Sequence, residues 1–404
     1  MKQPSRDDLP DLVRQLHREG TPWQPAGLAT RLDWGPPPVG SCQTVSLARL
    51  QGILEHNPED FTITVEAGAS FAEVQAVLAA HRQWLAVDPP WGSHQWTAAG
   101  EPRGSGSLGG LVARGLAGGY RQRYLGLRDQ LIGVALLRVD GTAARAGGRV
   151  VKNVAGYDLM RLLTGSWGSL ALITEVALRT LPLPPHRAGL VVRGEGAALA
   201  EVSRALLRST LTPERIDWWS PALARRAGVG EGPALLLAMA SVEGQCLRDQ
   251  LDAVAGLSSL ACQRLTGAEV DTLLRAGRGG DLPATEPAWL LRIGVDPDRA
   301  SEMMAVAGAD GLLVELSAGS GLGMAWSEGP LAAERVEALR LLCQRLGGHL
   351  TVLRQPAPAP LAFWPDAPSK ALIEAVKRQF DPNHQLAPGR LPGVAAPLQP
   401  AAAR

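Results

Sequence analysis

The sequence predicts an α+β protein of two domains, and three observations carry that reading. Before residue 185, short apolar strands alternate with helix-spaced segments and glycine turns. Leu183-Pro184-Pro185 then interrupts the order. Beyond it, strands are expected near 188–193, 234–240, 287–294, 311–316 and 349–354, and helices near 197–208, 244–256, 298–307 and 331–346. That mixture implies helices covering one face of a mainly antiparallel sheet. The expected units are 1–185, 186–354, and a C-terminal segment 355–404 that returns toward the first.

Each element of the first unit has a local reason. Leu9, Leu12, Val13 and Leu16 share one side of a helix over 8–19. The stretch 23–38 has no period and reads as a loop. Phe61, Ile63 and Val65 alternate with Thr62, Thr64 and Glu66, which is a strand pattern. Phe71, Val74, Val77 and Leu78 have helical spacing over 71–82, and Asp88-Pro89-Pro90 is a turn. Residues 104–119 hold seven glycines in sixteen, yet apolar residues between them favour a packed turn and short helix over a linker. An apolar strand follows at 130–139, then a short helix near 157–164 and a strand at 170–181. A Pro-rich stretch, 355–368, leads to a last helix near 369–379.

Composition removes several function classes. Lys and Arg number 40 and Asp and Glu 39, a net charge of +1 that gives no reason to expect nucleic acid as a partner. No run reaches the roughly 18–20 apolar residues of a spanning helix, and residues 1–20 lack the apolar core of a signal peptide. A cytoplasmic location is therefore expected, with any membrane attachment running through partner subunits. Cys42, Cys246, Cys262 and Cys343 form no CxxC pair, which argues against a disulfide scaffold, a zinc ribbon or an iron–sulfur cluster. The seven histidines make no HxH, HxxxH or HExxH arrangement, so no metal is expected.

The informative glycines fall in three turns, 27–35, 104–119 and 165–168. Turns of this kind free backbone amides for phosphate and let a ligand approach closely. Each alone reads more readily as an ordinary turn; the three together bring a dinucleotide or another phosphate ligand level with that reading. Neither the strand–GxGxxG–helix fingerprint nor GxxxxGK[ST] is present, which disfavours a Rossmann site and a nucleotide hydrolase.

Three segments carry a family resemblance: SLGGLVARGLAGGYRQRYLGLRD (107–129), RVVKNVAGYDLMRLLTGSWGSLALITEVALRTLPLP (149–184) and FDPNHQLAPGRL (380–391). The chain resembles the FAD-binding fold of the vanillyl-alcohol oxidase and p-cresol methylhydroxylase type, and within it the E-type subunits of bacterial glycolate oxidases. The resemblance implies two α/β subdomains that clamp an extended, non-covalent FAD, followed by an α+β cap. It places the first pyrophosphate loop at Gly27 to Thr30 and the second at Ser107, Leu108, Gly109 and Gly110. It adds Lys152 and Asn153, with Tyr157, and then Gly165, Ser166, Gly168 and Ile173. Arg128 and Asp129 read as an ion pair or as a cofactor contact. His384 lies in the tail motif, either near the cofactor or at the surface.

Departures from the family pattern matter as much. The first loop is usually glycine-rich, whereas here Leu28 and Ala29 stand where glycines are usual, so any positive φ there is strained. The insertion AAGEPRGSG lengthens the approach to Ser107. Catalytic residues are not identified. The implied role is an FAD-binding subunit of a complex that oxidises glycolate to glyoxylate, supporting electron transfer or assembly. Its implied partners are a catalytic D-type flavoprotein subunit and an iron–sulfur subunit, with a small 2-hydroxy acid as substrate. Two other readings stay open: a stand-alone FAD-dependent oxidoreductase of a 2-hydroxy acid, and a scaffold with a degenerate flavin site. Trp23, Trp34, Trp84, Trp91 and Trp96 read as core more than interface. The adjacent Trp218 and Trp219 predict that one ring faces outward.

Overall fold

The computed structural model describes residues 1–90, 105–116, 118–148, 156–277, 289–309 and 311–395. Helix α1 (Leu9–Arg18) buries Leu9, Val13 and Leu16. It precedes a parallel pair, β1 (Trp23–Ala26) and β2 (Gln43–Ser46). Then come β3 (Ile53–Asn57), β4 (Thr62–Glu66), α2 (Phe71–Ala80) and β5 (Gln83–Trp84). Next follow α3 (Leu108–Arg114), α4 (Arg121–Tyr124), α5 (Leu127–Gln130), β6 (Leu131–Leu137), β7 (Ala143–Gly147), α6 (Leu159–Leu163), β8 (Leu172–Arg179) and β9 (Leu181–Pro182). The sheet order is β3-β4-β8-β6-β7, antiparallel throughout. Strand β4 is buried on both faces, Thr62 and Thr64 included.

The second sheet has eight strands. Its elements are β10 (His186–Arg193), α7 (Gly196–Leu207), β11 (Arg215–Trp219), α8 (Pro221–Arg226), β12 (Ala234–Ser241), α9 (Gly244–Ala255), β13 (Ala261–Thr266) and α10 (Gly267–Gly277). They continue as β14 (Trp289–Gly294), α11 (Ala300–Ala309), β15 (Leu313–Ser317), β16 (Leu322–Ser327), α12 (Ala333–Arg345) and β17 (His349–Arg354). The order is β13-β10-β12-β11-β15-β16-β14-β17, again antiparallel. The architecture is thus the expected α+β arrangement, with a mainly antiparallel sheet following the first domain. Helix α13 (Lys370–Phe380) closes the order of elements.

The two faces of this sheet meet different neighbours. Leu235, Leu237, Leu291 and Val314 pack with α7, α9, α11 and α12. Trp219, Leu236, Leu290 and Trp326 instead join the core of the first domain, together with residues of α8 and α10. Among the described residues, helices therefore lie on both sides, four on one and two on the other. This two-sided burial overturns the expected outward tryptophan. Trp218 and Trp219 point to opposite faces of β11, and both are buried because both faces are covered. Trp23, Trp34 and Trp84 are core residues, while Trp91 and Trp96 lie outside the described residues.

Candidate functional site

A cleft of about 770 Å³ opens between the segment after β1, the start of α3, the turn before β8 and the C-terminal tail. Of the residues anticipated for a cofactor, Gly27, Thr30, Ser107, Gly109, Gly110, Gly168 and Ile173 line it. Leu108 does not; it points into the core and is fully buried. Gly165 and Ser166 also lie outside the lining, in the turn that docks on α3, where the Gly165 amide donates to the Val112 carbonyl at 3.0 Å. Lys152 and Asn153, and most of the 98–106 insertion, fall outside the described residues. Tyr157 is 89% exposed, away from this lining.

The stretch 23–38 is more ordered than its lack of period suggested. Residues 23–26 pair in parallel with 43–46, and β1 is also bridged by the tail at Leu386. Two glycines here are obligatory on space alone. A Cβ on Gly27 would sit 1.8 Å from the Ser107 hydroxyl oxygen, and one on Gly109 would sit 2.5 Å from the Ala67 Cβ. Ala29 has φ +60°, the left-handed region that favours glycine, whereas Leu28 is not among the positive-φ residues. Strain in the first loop is therefore confined to one of the two substituted positions.

The two loops differ in what they offer a ligand. At the start of α3 the amides are spent internally. Leu108 donates to the Ala69 carbonyl at 3.0 Å, Gly109 to the Ala67 carbonyl at 2.8 Å, and Gly110 to the Ser107 hydroxyl at 3.2 Å. Ser107 is thus the helix cap. The second loop gives close approach rather than open amides, contrary to the expectation for 104–119. In the first loop, the amides of Gly27, Leu28 and Ala29 meet no acceptor among the described residues.

Three arginines, absent from the anticipated set, converge on the same cleft: Arg31, Arg114 and Arg390. Arg114 donates to the carbonyls of Arg31 at 2.6 Å and Trp34 at 3.0 Å, and stacks 3.9 Å over Trp167. Arg390 donates to Gln24 at 2.9 Å, to the Leu32 carbonyl at 3.1 Å, and to the Trp34 carbonyl. Arg31 reaches the carbonyls of Ser105 and Pro90 at 3.3 Å. Among the described residues, no carboxylate lies within ion-pair distance of Arg114 or Arg390. Burial lowers Arg31 and Arg390 each to about 10. It lowers Arg114 well below its usual range, with Arg390 and Arg31 adding repulsion. Clustered positive charge of this kind, with Arg31 and Arg390 buried and Arg114 half-buried, is stabilised by an anion in the cleft. The donor set and the open amides fit a pyrophosphate-bearing dinucleotide. A sequence signal existed, since each arginine sits in or beside a segment already singled out: GLATR, SLGGLVAR and DPNHQLAPGR.

The remaining anticipated residues have structural roles. Asp129 accepts from the Gly126 amide at 3.1 Å, capping α5, and no Arg128–Asp129 ion pair is present among the described residues. His384, four residues beyond the end of α13, is buried and is not in the cleft lining. Burial lowers its pKa, and Lys377 adds to the effect.

A second cavity, about 590 Å³, lies between the two domains. Arg121 and Arg292 line it, and neither guanidinium has a hydrogen bond or ion pair among the described residues. Burial and then Arg121 lower the Arg292 guanidinium. The lining also holds the carboxylate group Asp88, Asp217 and Glu315, gathered around Arg215. Burial opposes the charge on Arg215, but the three carboxylates outweigh it and hold it charged. Three anions around one cation are over-subscribed. Burial therefore raises Asp88 and raises Asp217 well above the carboxylate range, and it pushes Glu315 up to about 7. Among the described residues, no group of three or more His, Cys, Asp or Glu side chains could hold a metal, and no helix is long and apolar enough to cross a membrane.

Comparison with known proteins finds likeness over the first part of the chain. A family model described as an FAD binding domain matches residues 4–147. The chain is 34% identical over 227 residues to the Escherichia coli (strain K12) glycolate oxidase subunit GlcE, covering 55% of this chain and 61% of that protein. It is 26% identical over 234 residues to the mitochondrial cytochrome D-lactate dehydrogenase of Arabidopsis thaliana, covering 57% of this chain and 39% of that one. The match thus spans about three fifths or less of the length of these relatives. Among solved structures, an alkyldihydroxyacetonephosphate synthase superposes with a TM-score of 0.67 at 14% identity, covering 95% of this chain and 75% of that one. That likeness is one of fold.

Proposed function

We propose, from the premise that this chain carries an FAD-binding domain of the p-cresol methylhydroxylase type followed by a mainly antiparallel domain, that it is an FAD-binding subunit of a glycolate-oxidising complex. Such a domain is typical of FAD-linked oxidoreductases. The observation that carries the reading is the cleft, where three arginines and the open amides of Gly27, Leu28 and Ala29 meet. Those groups would hold the pyrophosphate. Ser107, Gly109 and Gly110 would let the cofactor approach α3, with Thr30, Gly168 and Ile173 completing the wall. FAD supplies two-electron redox chemistry when bound, and the protein supplies position and charge. Resemblance to a glycolate oxidase subunit supports the substrate and a multi-subunit setting. The partners would be a D-type flavoprotein subunit and an iron–sulfur subunit, since this chain has no cysteine cluster to pass electrons onward.

A second reading is a stand-alone oxidoreductase of a 2-hydroxy acid, and the second cavity favours it. Arg121 and Arg292 would clamp a carboxylate, and Glu315, poised near neutral pH, would take the hydroxyl proton. Likeness to a D-lactate dehydrogenase is in keeping with that substrate class.

One experiment separates them. The chain is purified alone, its flavin absorption is recorded, and dye reduction by glycolate is followed with and without the two partner subunits. Turnover only with partners supports the subunit reading. Turnover by the chain alone, lost in Glu315→Gln, supports the second. Protein that neither carries nor takes up FAD overturns both and leaves a scaffold with a degenerate site.

A further inference from the structure

We propose that Lys377 is a positioning residue for the flavin cleft: its buried ammonium joins the turn before β8 to the C-terminal tail, two walls that the cofactor must meet together. The role rests on FAD occupying the cleft described above.

The geometry is specific. Lys377 lies near the end of α13 and is 3% exposed. Its Nζ donates to the Ser169 carbonyl at 2.8 Å, the Leu386 carbonyl at 2.8 Å and the Asp381 carboxylate at 2.5 Å. All three ammonium protons are used. Asp381, fully buried, accepts in turn from the amides of Gln385 at 3.1 Å and Leu386 at 2.8 Å. The bonds continue into β1. Trp23 donates to the Gln385 carbonyl at 2.8 Å, and Ala387 donates back to the Trp23 carbonyl at 2.7 Å.

Three parts of the cleft wall are thereby tied at one point. Trp167 and Gly168 line it just before Ser169, Ala387 and Arg390 line it just after Leu386, and Gly27 follows directly on β1. The tail is held in an unfavourable path, with His384 at φ +53° and Ala387 at φ +47°. A buried Lys–Asp pair is a poor source of stability compared with apolar packing. What this one supplies is a fixed relation between segments more than two hundred residues apart.

The test uses the full chain. Lys377→Met combined with Asp381→Asn removes both charges, so no lone carboxylate is left buried. Leu350→Ala, in the far core of the second sheet, is the control for general destabilisation. FAD affinity is measured by quenching of flavin fluorescence, alongside the fine structure of the bound-flavin absorption band and the melting temperature. The double variant is expected to bind FAD at least tenfold more weakly with a blurred band, while the control stays within twofold. FAD binding by the double variant within twofold of wild type overturns the role, as does an equal loss in the control. If the double variant does not fold, hydrogen exchange of the wild-type chain decides. FAD should slow the amides of Gln385, Leu386 and Ala387 together with those of residues 27–29; protection of 27–29 alone overturns the role. A wild-type chain that binds no FAD overturns the flavin reading itself, and this role with it.

Discussion

Arg215 of β11 is ion-paired with Asp88 of the first domain, and neither is more than 6% exposed. The pair spans the boundary between the two domains, and Asp217 and Glu315 bind the same guanidinium. The contact of the domains is therefore apolar at Trp219 and Trp326 and ionic at Arg215.

Removing that cation leaves three carboxylates facing each other in a buried site. Arg215→Met is expected to lower stability by about 3–5 kcal/mol, the usual cost of stranding buried charge. Urea denaturation followed by tryptophan fluorescence measures it. A loss under about 1 kcal/mol would show that the carboxylates protonate or rehydrate cheaply.

The same cluster sets a pH dependence. An unfolded chain releases the Glu315 proton near the ordinary 4.5, whereas the folded chain keeps it to about 7. Between those values the native state binds more protons, so stability falls as pH rises through this window. Glu315→Gln cannot ionise and removes the dependence. Stability of wild type relative to the variant should drop by about 1–3 kcal/mol between pH 5 and 8, read from denaturation midpoints at each pH. A constant difference would refute the shift.

At Ala29 the backbone is left-handed. Ala29→Gly should raise stability by about 0.5–1 kcal/mol, because relief of the roughly 1–2 kcal/mol strain exceeds the entropy that glycine costs. Ala29→Val should lower it. Thermal unfolding of both variants checks the sign, and FAD titration shows whether the strain matters to the cofactor.

Arg114 bears on affinity more directly. It is a half-buried cation without a carboxylate partner among the described residues. Arg114→Met should weaken FAD binding about tenfold to a hundredfold, the range for losing a charge-assisted hydrogen bond of about 1.5–3 kcal/mol. The effect should shrink at high salt for the wild type more than for the variant. Equal affinities would show that the phosphates lie elsewhere.

Legibility followed burial pattern. Helices α7, α9, α12 and α13 and strands β12, β14 and β17 were readable because each has one apolar stripe or run. Strand β11 was not, since Arg215-Ile216-Asp217 reads as an exposed polar segment although all three residues are buried. Strand β13 was missed for the opposite reason: it is an edge, mostly exposed, with only Leu265 buried.

By itself the sequence determined the α+β class, the glycine positions at 27 and 109, and the segments that border the cleft. Those depend on local periodicity and on side-chain volume, which are written residue by residue. Only the tertiary structure decided that Arg31, Arg114 and Arg390 share one cleft, that the amides of 108–110 are already used, and that Arg215 gathers acids from both domains. Each of these depends on which carbonyls, amides and charges are brought together from distant parts of the chain. Electrostatic and hydrogen-bond partnerships carry no period, so only folding reveals them.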